Sequence, residues 1–479
     1  MGARTFERGV GLVIALVAGG AATLLWFIVA AGSPTAGETP SDVLFLDRWR
    51  VFYDFAAPTP RVILAAIALA FLFAAGIAIL ERTALSKARR SFNRRTTPLS
   101  AGIVMERTRG VFAGPVTVTV LVPAHNEEAS IFATLSSLLA QSHRPERVVV
   151  VADNCTDRTV DIARSLGVEI FESRENTHKK AGALNQVLKT VLPGQGDNDL
   201  IMVLDADTTL DDGFLAAAVS RFTSDRALMA VGGLFYGEEG SGLLGQCQRN
   251  EYIRYSREIS RRRGQVFVLT GTASLFRAGA LRTVAESRGD TIPGTNGDVY
   301  DTAALTEDNE LTIALKSLGA LIISPSECTV VTEVMPTLRT LWVQRLRWQR
   351  GALENIGAYG ISPPTFRYWA QQLGLGYSVI ALGAFLLLLL VTVLAIDSWV
   401  WFPFWLSLGA VFVAERVITV WAGGPRARLL ALTLFPELLF DVFLDFVYLK
   451  SILDITLGRH AEWGHITRPA PTDQLQRTA

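Results

Sequence analysis

Four carboxylates, Asp205, Asp207, Asp211 and Asp212, follow directly on the apolar run 201-IMVL-204. Acids gathered this closely raise one another's pKa unless a cation sits among them. Asp205 and Asp207, one residue apart on a turn, can offer oxygens to one Mg²⁺ or Mn²⁺. Such hard ions are held by a few carboxylates together with substrate phosphates. The pattern points to a metal-bound phosphate ester or diphosphate. Asp211 and Asp212, ahead of Gly213 and Phe214, read more simply as a turn or helix cap.

Other strings add chemistry of the same kind. Glu127 lies in 123-PAHNEE-128 and Asp153 in 153-DNCTD-157. In 306-TEDNELTIALKSLG-319, Leu311, Ala314, Leu315 and Leu318 recur at helical spacing, which predicts a helix starting at Thr306 with Glu307, Asp308 and Glu310 in its first turn. Two readings stand for these acids. They cap the helix, at roughly 0.3–1 kcal/mol each, or they supply the general base that an alcohol needs to displace a diphosphate from a sugar. The string 344-QRLRWQRG-351 sets Arg345, Arg347 and Arg350 beside Trp348. It suits a juxtamembrane helix with Trp342 and Trp348 in an aromatic belt, and equally a bidentate diphosphate clamp with a flat face for a sugar ring. In 178-HKKAGALN-185, a Lys that reaches a nucleotide and a Lys merely solvated ahead of a helix are both open.

The elements that must position these residues alternate. Residues 116–122, 147–152, 168–171 and 200–204 read as strands, and 127–141, 159–166 and 180–190 as helices. This βαβαβ succession predicts a mainly parallel sheet, whose ligands bind beyond the carboxyl ends of the strands. Three of those ends deliver the carboxylates above. No G-x-G-x-x-G follows the first strand, which counts against a dinucleotide. The string 204-LDADTT-209 also matches the phosphatase pattern Asp-x-Asp-x-Thr, but that class opens its domain with this strand, and here three strands with their own acids come first.

The chain's two ends are apolar. Half of the 479 residues are hydrophobic and the formal net charge is zero, so charge points to no nucleic-acid partner. The three cysteines, Cys155, Cys247 and Cys328, lack metal-ligand spacing and are expected to be reduced. Residues 10–31 and 62–80 are each long enough to cross a bilayer core of roughly 30 Å. Arg4 and Arg8 precede the first run as in a signal peptide, but the run exceeds the usual apolar stretch of about 7–15 residues and reads as an anchor. The segment after Leu80 carries Arg82, Lys87, Arg89, Arg90, Arg94, Arg95, Arg107 and Arg109, which places residues 81–365 in the cytosol. Residues 374–396 and 399–421 form a further hairpin of spans. The run 429–457 contains Glu437, Asp441 and Asp445 on one helical face, so it either spans with those acids on protein or water, or lies at the interface. The side of the tail, 458–479, is open accordingly. The expected organisation is two spans with an external loop (1–81), a basic cytosolic linker (82–114), a cytosolic domain ending in interfacial helices (115–365) and a C-terminal membrane region (366–457).

Taken in order, PAHNEE, DNCTD, HKKAGALN, DAD, LTGTASLF, TEDNE and QRLRW resemble the membrane-integrated, processive family 2 glycosyltransferases: the synthases of cellulose, chitin, hyaluronan and poly-N-acetylglucosamine. The resemblance covers about residues 115–350. It implies an α/β nucleotide-sugar transferase domain of type A inserted between transmembrane helices. It further implies that Glu127 and Asp153 meet the nucleoside, that Asp205 lies by the uridine diphosphate, and that Asp207, with Asp205, holds the metal; Lys180 is the candidate of its string for reaching the nucleotide. Asp308, beside Glu307, becomes the base. Gln344, Arg345, Arg347 and Trp348 close the site, with the Trp under the acceptor sugar.

The expected activity is inverting transfer from a UDP-sugar, with UDP-N-acetylglucosamine favoured by the wording of the motifs, to a growing glycan or lipid-linked acceptor at the cytoplasmic membrane face. Mg²⁺ or Mn²⁺ is the expected cofactor. The rivals are a single-addition transferase to a lipid carrier, and a membrane protein that keeps the domain for sensing. Residues 248–264, basic and poor in apolar side chains, read as a helix on the membrane surface. The short membrane part raises assembly with an export partner or as a homo-oligomer.

Overall fold

The computed structural model describes residues 93–109, 116–262, 264–394 and 403–459, with isolated positions at 23, 64, 65, 68, 69, 72, 75, 76 and 79. The expected spans at 10–31 and 62–80, apart from those positions, and the tail beyond Arg459 lie outside them. The chain divides into two units, Met1–Ala88 with Ser378–Glu415 and Arg89–Tyr377 with Arg416–Ala479. The second carries every candidate site residue.

Its core is a sheet of β1 (Val118–Ala124), β2 (Arg147–Ala152), β3 (Glu169–Glu172), β4 (Leu200–Leu204), β6 (Leu228–Gly232), β8 (Ala273–Arg277) and β9 (Leu321–Ile323), with β5 (Thr209–Leu210), β7 (Leu234–Gly237) and β10 (Thr329–Thr332) in a small second sheet. The large sheet runs β3-β2-β1-β4-β8-β6-β9 and the small one β5-β10-β7. Every pairing in the large sheet is parallel except those of β8, which runs against β4 and β6. β1 and β4 are buried along their whole length, because helices cover both faces. That is why they read as unbroken Val/Leu/Ile runs rather than alternating ones.

Register brings the motifs to one edge. Ala124 pairs with Ala152, so 125–128 and 153–157 leave the sheet side by side. Leu121 pairs with Val203, so Asp205 follows at the same level. β8 arrives from the opposite direction: Ala273 pairs with Leu204, and the Asp205 amide donates to the Thr272 carbonyl at 3.1 Å. The reversed strand thus places Thr270-Gly271-Thr272 on the edge where the parallel strands end.

The helix expected from Thr306 spans Glu307–Ser317, and the QRLRW string lies in Leu338–Tyr359. The latter opens with a capping box in which the Thr340 amide donates to Thr337 Oγ1 at 3.2 Å. The two helices meet at Gly351, where a Cβ would stand 2.4 Å from Thr306 Oγ1. Asn355 Nδ2 locks the contact by donating to the Thr306 carbonyl and to Asn309 Oδ1, both at 3.0 Å.

Among the described residues one helix is long and apolar enough to cross a membrane, at Phe366–Leu387. It starts ahead of the run read as beginning at 374. The run at 399–421 contains a helix of 17 residues, Pro403–Thr419. The run at 429–457 is not one helix: Leu434 takes φ 57° and separates Gly424–Thr433 from Phe435–Thr456. Of Glu437, Asp441 and Asp445, the first two face protein. Glu437 is buried and accepts from Arg254 Nη2 at 2.6 Å and Asn250 Nδ2 at 2.7 Å, while Asp441 accepts from Arg416 at 2.5 Å. The basic stretch 248–264, expected on the membrane surface, lies largely in the helix Gly242–Arg261, whose inner face is buried. Gln248 there binds both the amide and the carbonyl of Met335 at 2.9 Å.

Candidate active site

Lys180 is the centre of the acidic cluster. Its helix, Lys179–Val191, begins with Lys179 at φ 54°, and the ammonium reaches Asp205 Oδ1 at 2.5 Å and Glu307 Oε1 at 2.9 Å. Three elements distant in sequence therefore converge on one cation. Burial works against that charge, yet Asp205 and Glu307 outweigh it and hold the pKa well above the ordinary lysine value. Glu307 responds in kind: burial pushes its carboxyl up, but Lys180 prevails and lowers it. Asp205 rises to about 7, chiefly through burial and with the charge of Asp207 adding to it, while Lys180 pulls the other way.

Asp308 is held differently. Its Oδ2 accepts from the Gly271 amide at 3.0 Å and its Oδ1 from the Asn309 amide at 2.7 Å. It makes no ion pair among the described residues. Burial and then the neighbouring Glu307 raise its pKa. The first-turn acids thus have three separate employments, because Glu310 is buried in a bidentate pair with the equally buried Arg288 at 2.6 and 2.7 Å. The capping reading explains at most the bond from Asn309 to Asp308; the Thr306 side chain makes no cap hydrogen bond.

The remaining acids line the same edge. Asp153 is buried and its Oδ1 accepts from Ser173 Oγ at 2.7 Å, Asn176 Nδ2 at 2.8 Å and Asn154 Nδ2 at 3.1 Å. Glu127 is pushed up to about 7 by burial and the charge of Asp207, against the opposing hydrogen bond from Ser130 Oγ at 2.9 Å. Asp207 accepts from Thr208 Oγ1 at 3.1 Å and has no ion-pair partner among the described residues. Arg347 faces this cluster, and its charge helps to lower Glu307. Arg345 does not: it is buried against Glu251 and Trp348. Gln344 Oε1 is buried without a hydrogen bond.

Three contributors escaped the reading of the sequence. Gly271 stands where a Cβ would come within 2.9 Å of Lys180 Nζ and 3.1 Å of Asp205 Oδ2; the LTGTASLF string contained it without marking it. Tyr300 is buried and helps to line a cavity with Lys180, Gly271, Glu307 and Asp308. Asn176 binds Asp153 and also donates to the Lys179 carbonyl at 2.7 Å, tying that acid to the start of the lysine helix.

A divalent cation suits the donor set. The acids supply hard oxygen donors, and Asp207, like Asp308, has no ion-pair partner among the described residues. Among the described residues no three His, Cys, Asp or Glu side chains are gathered to hold a metal unaided. The rest of an ion's shell would fall to diphosphate oxygens and water.

Residues 119–285 match the family described as "Glycosyl transferase family 2". A poly-beta-1,6-N-acetyl-D-glucosamine synthase of Staphylococcus aureus (strain COL) is 29% identical over 245 residues, half of this chain and 55% of that protein. The corresponding synthase of Staphylococcus epidermidis is 27% identical over a similar share. The chain therefore spans about half the length of the curated relatives it matches. Among solved structures, a mannosyltransferase from Pyrobaculum calidifontis in complex with GDP-Man and Mn²⁺ covers 80% of this chain and 100% of its own, at 19% identity and a TM-score of 0.46. A glucosyl-3-phosphoglycerate synthase from Mycobacterium tuberculosis in complex with Mn²⁺, UDP and its product covers 54% and 84%, at 18% and 0.33. The sheet is the mostly parallel α/β sheet that the sequence predicts. The part of the chain that carries the candidate site from Glu127 to Gly271 is thus similar to glycosyl transferase family 2.

Proposed function

We propose that this chain transfers a sugar, with inversion, from UDP-N-acetylglucosamine or a related UDP-sugar to the hydroxyl of a growing β-linked glycan at the cytoplasmic membrane face. The observation that carries this reading is the division of labour between neighbouring acids. Glu307 is neutralised by Lys180, while Asp308 stands half-buried beside it with no ion pair among the described residues and with a raised pKa. A carboxylate so placed can take a proton from an alcohol.

The balance of the reaction is simple. The acceptor oxygen attacks the anomeric carbon, the bond from that carbon to the diphosphate breaks, UDP departs with the electron pair, and Asp308 receives the acceptor's proton. Attack opposite the leaving group turns an α-linked donor into a β-linked product. Asp153 and Glu127 meet the nucleoside, and Lys180 and Arg347 supply positive charge near the diphosphate. Mg²⁺ or Mn²⁺, held by Asp207 with Asp205, would when bound neutralise the leaving diphosphate. Trp348 offers the acceptor sugar a flat face. The relatives' names support N-acetylglucosamine as the sugar, and the apolar helix Phe366–Leu387 supports a membrane location. The domain limits 1–81, 82–114, 115–365, 366–457 and 458–479 belong to the same proposal.

The test is UDP release by the full-length chain in nanodiscs across a panel of UDP-sugars, with Mn²⁺, with Mg²⁺ and with chelator. The expected result is one preferred donor, a β-linked polymeric product, and loss of turnover on chelation and in Asp207→Asn. Turnover that is indifferent to both would remove the metal from the account, and a product of a single addition to lipid would replace the polymer reading.

A further inference from the structure

The family resemblance implies that Arg345 closes the substrate site, and its guanidinium is buried against protein groups. Nη2 donates to Glu251 Oε2 at 2.7 Å. The guanidinium stands over the Trp348 ring at 4.5 Å and over the Tyr252 ring at 5.6 Å. Tyr252 in turn meets Phe235 of β7 edge-on at 4.7 Å. Arg345 is thus the middle member of a stack that runs from the small sheet to Trp348. Among the described residues, Glu251 is the one carboxylate paired with it, and its Nε is buried without a hydrogen bond. Removing one partner of a buried pair leaves an uncompensated charge, so this guanidinium depends on Glu251 for its place. A guanidinium within about 6 Å of a Trp face is attracted to the ring, so its placement biases where the ring lies.

We infer that Glu251 is a positioning residue, which holds Arg345 over the Trp348 ring and so fixes the placement of the ring on which an acceptor sugar packs. This rests on the proposed acceptor role of Trp348. Glu251 lies on the helix Gly242–Arg261, far from both partners in sequence, and acts through Arg345 rather than on the substrate.

Two variants test it in the full-length chain in nanodiscs. Glu251→Asp keeps the charge and withdraws it by one methylene. Arg345→Lys keeps the charge and loses the plane. With UDP-N-acetylglucosamine as donor and an N-acetylglucosamine trimer as acceptor probe, Glu251→Asp is expected to raise the acceptor KM about tenfold while the donor KM stays within about twofold. In protein labelled with 5-fluorotryptophan, the Trp348 resonance, identified by its loss in Trp348→Phe, should shift in both variants while the other tryptophan resonances stay in place. An unmoved Trp348 resonance, a donor KM that rises in step with the acceptor KM, or a general shift of all tryptophans with a lowered melting temperature would overturn the inference. If the unmodified chain releases no UDP from any donor, the proposed function fails, and the fluorine signal still decides the positioning role.

Discussion

Glu307 and Asp308 are adjacent acids with opposite fates, and the cause is what each oxygen touches. Glu307 meets an ammonium at 2.9 Å, whereas Asp308 meets two amide N–H groups and no cation among the described residues. If Asp308 is the base, its ionised form is the active one, and a raised pKa carries the loss of activity to higher pH. The acid limb of kcat/KM should then lie above the ordinary Asp value of about 4; a limb at or below that value would assign the base elsewhere. Glu127 makes a separate prediction about stability. Its folded pKa of about 7 exceeds the ordinary glutamate value of 4.5. Its favourable share is therefore present below 4.5, fades as pH rises through that interval, and is a penalty above about 7, on the order of 3 kcal/mol. Under chelation, Glu127→Gln should melt above the unmodified chain at pH 8 and lose that advantage near pH 4.5. Equal melting at pH 8 would refute it. The residue types were legible in the sequence, but the partners were not. Arg345 looked like a phosphate ligand because its carboxylate, Glu251, sits on another helix. Glu310 looked like a cap because nothing nearby announced Arg288.

At the scale of elements, uninterrupted apolar runs were read well. The strands at 147–152 and 200–204 have the bounds that the sequence suggested. The antiparallel β8 and the short β5 were not foreseen, since their pairing depends on distant partners and not on local period. Leu434 shows the opposite failure: composition sees one apolar run where the backbone turns through a left-handed residue. The contact at Gly351 gives the sharpest prediction about elements. Gly351→Ala forces a methyl against Thr306, which should cost about 1–3 kcal/mol and impair turnover by moving the Asp308 helix. Gly357→Ala, on the same helix with nothing within 4 Å of the added atom, should be neutral or stabilising by up to about 1 kcal/mol. Thermal melts and turnover of the two variants side by side check this; equal effects would mean that the two helices are not locked at Gly351.

For the whole molecule, the sheet works as an ordering device. Parallel strands bring Glu127, Asp153 and Asp205 to one edge, the reversed β8 adds Gly271, and two later helices add Asp308 and Arg347 from the other side of the cluster. The order of the strings along the chain made that convergence legible, because a parallel sheet ends its strands together. The polar seam between Gly242–Arg261 and Phe435–Thr456, closed by Glu437 with Arg254, was not, because acids in an apolar run do not say which cation faces them. The central claim is that this convergence makes Asp308 the base of a transfer from a UDP-sugar. The most direct measurement is UDP release together with donor binding in Asp308→Asn. The account predicts that turnover falls by about 10²–10⁴-fold while the donor binds as before. Turnover within a few-fold of the unmodified chain, with the donor still bound, would contradict it and return Asp308 to a structural role at the start of its helix.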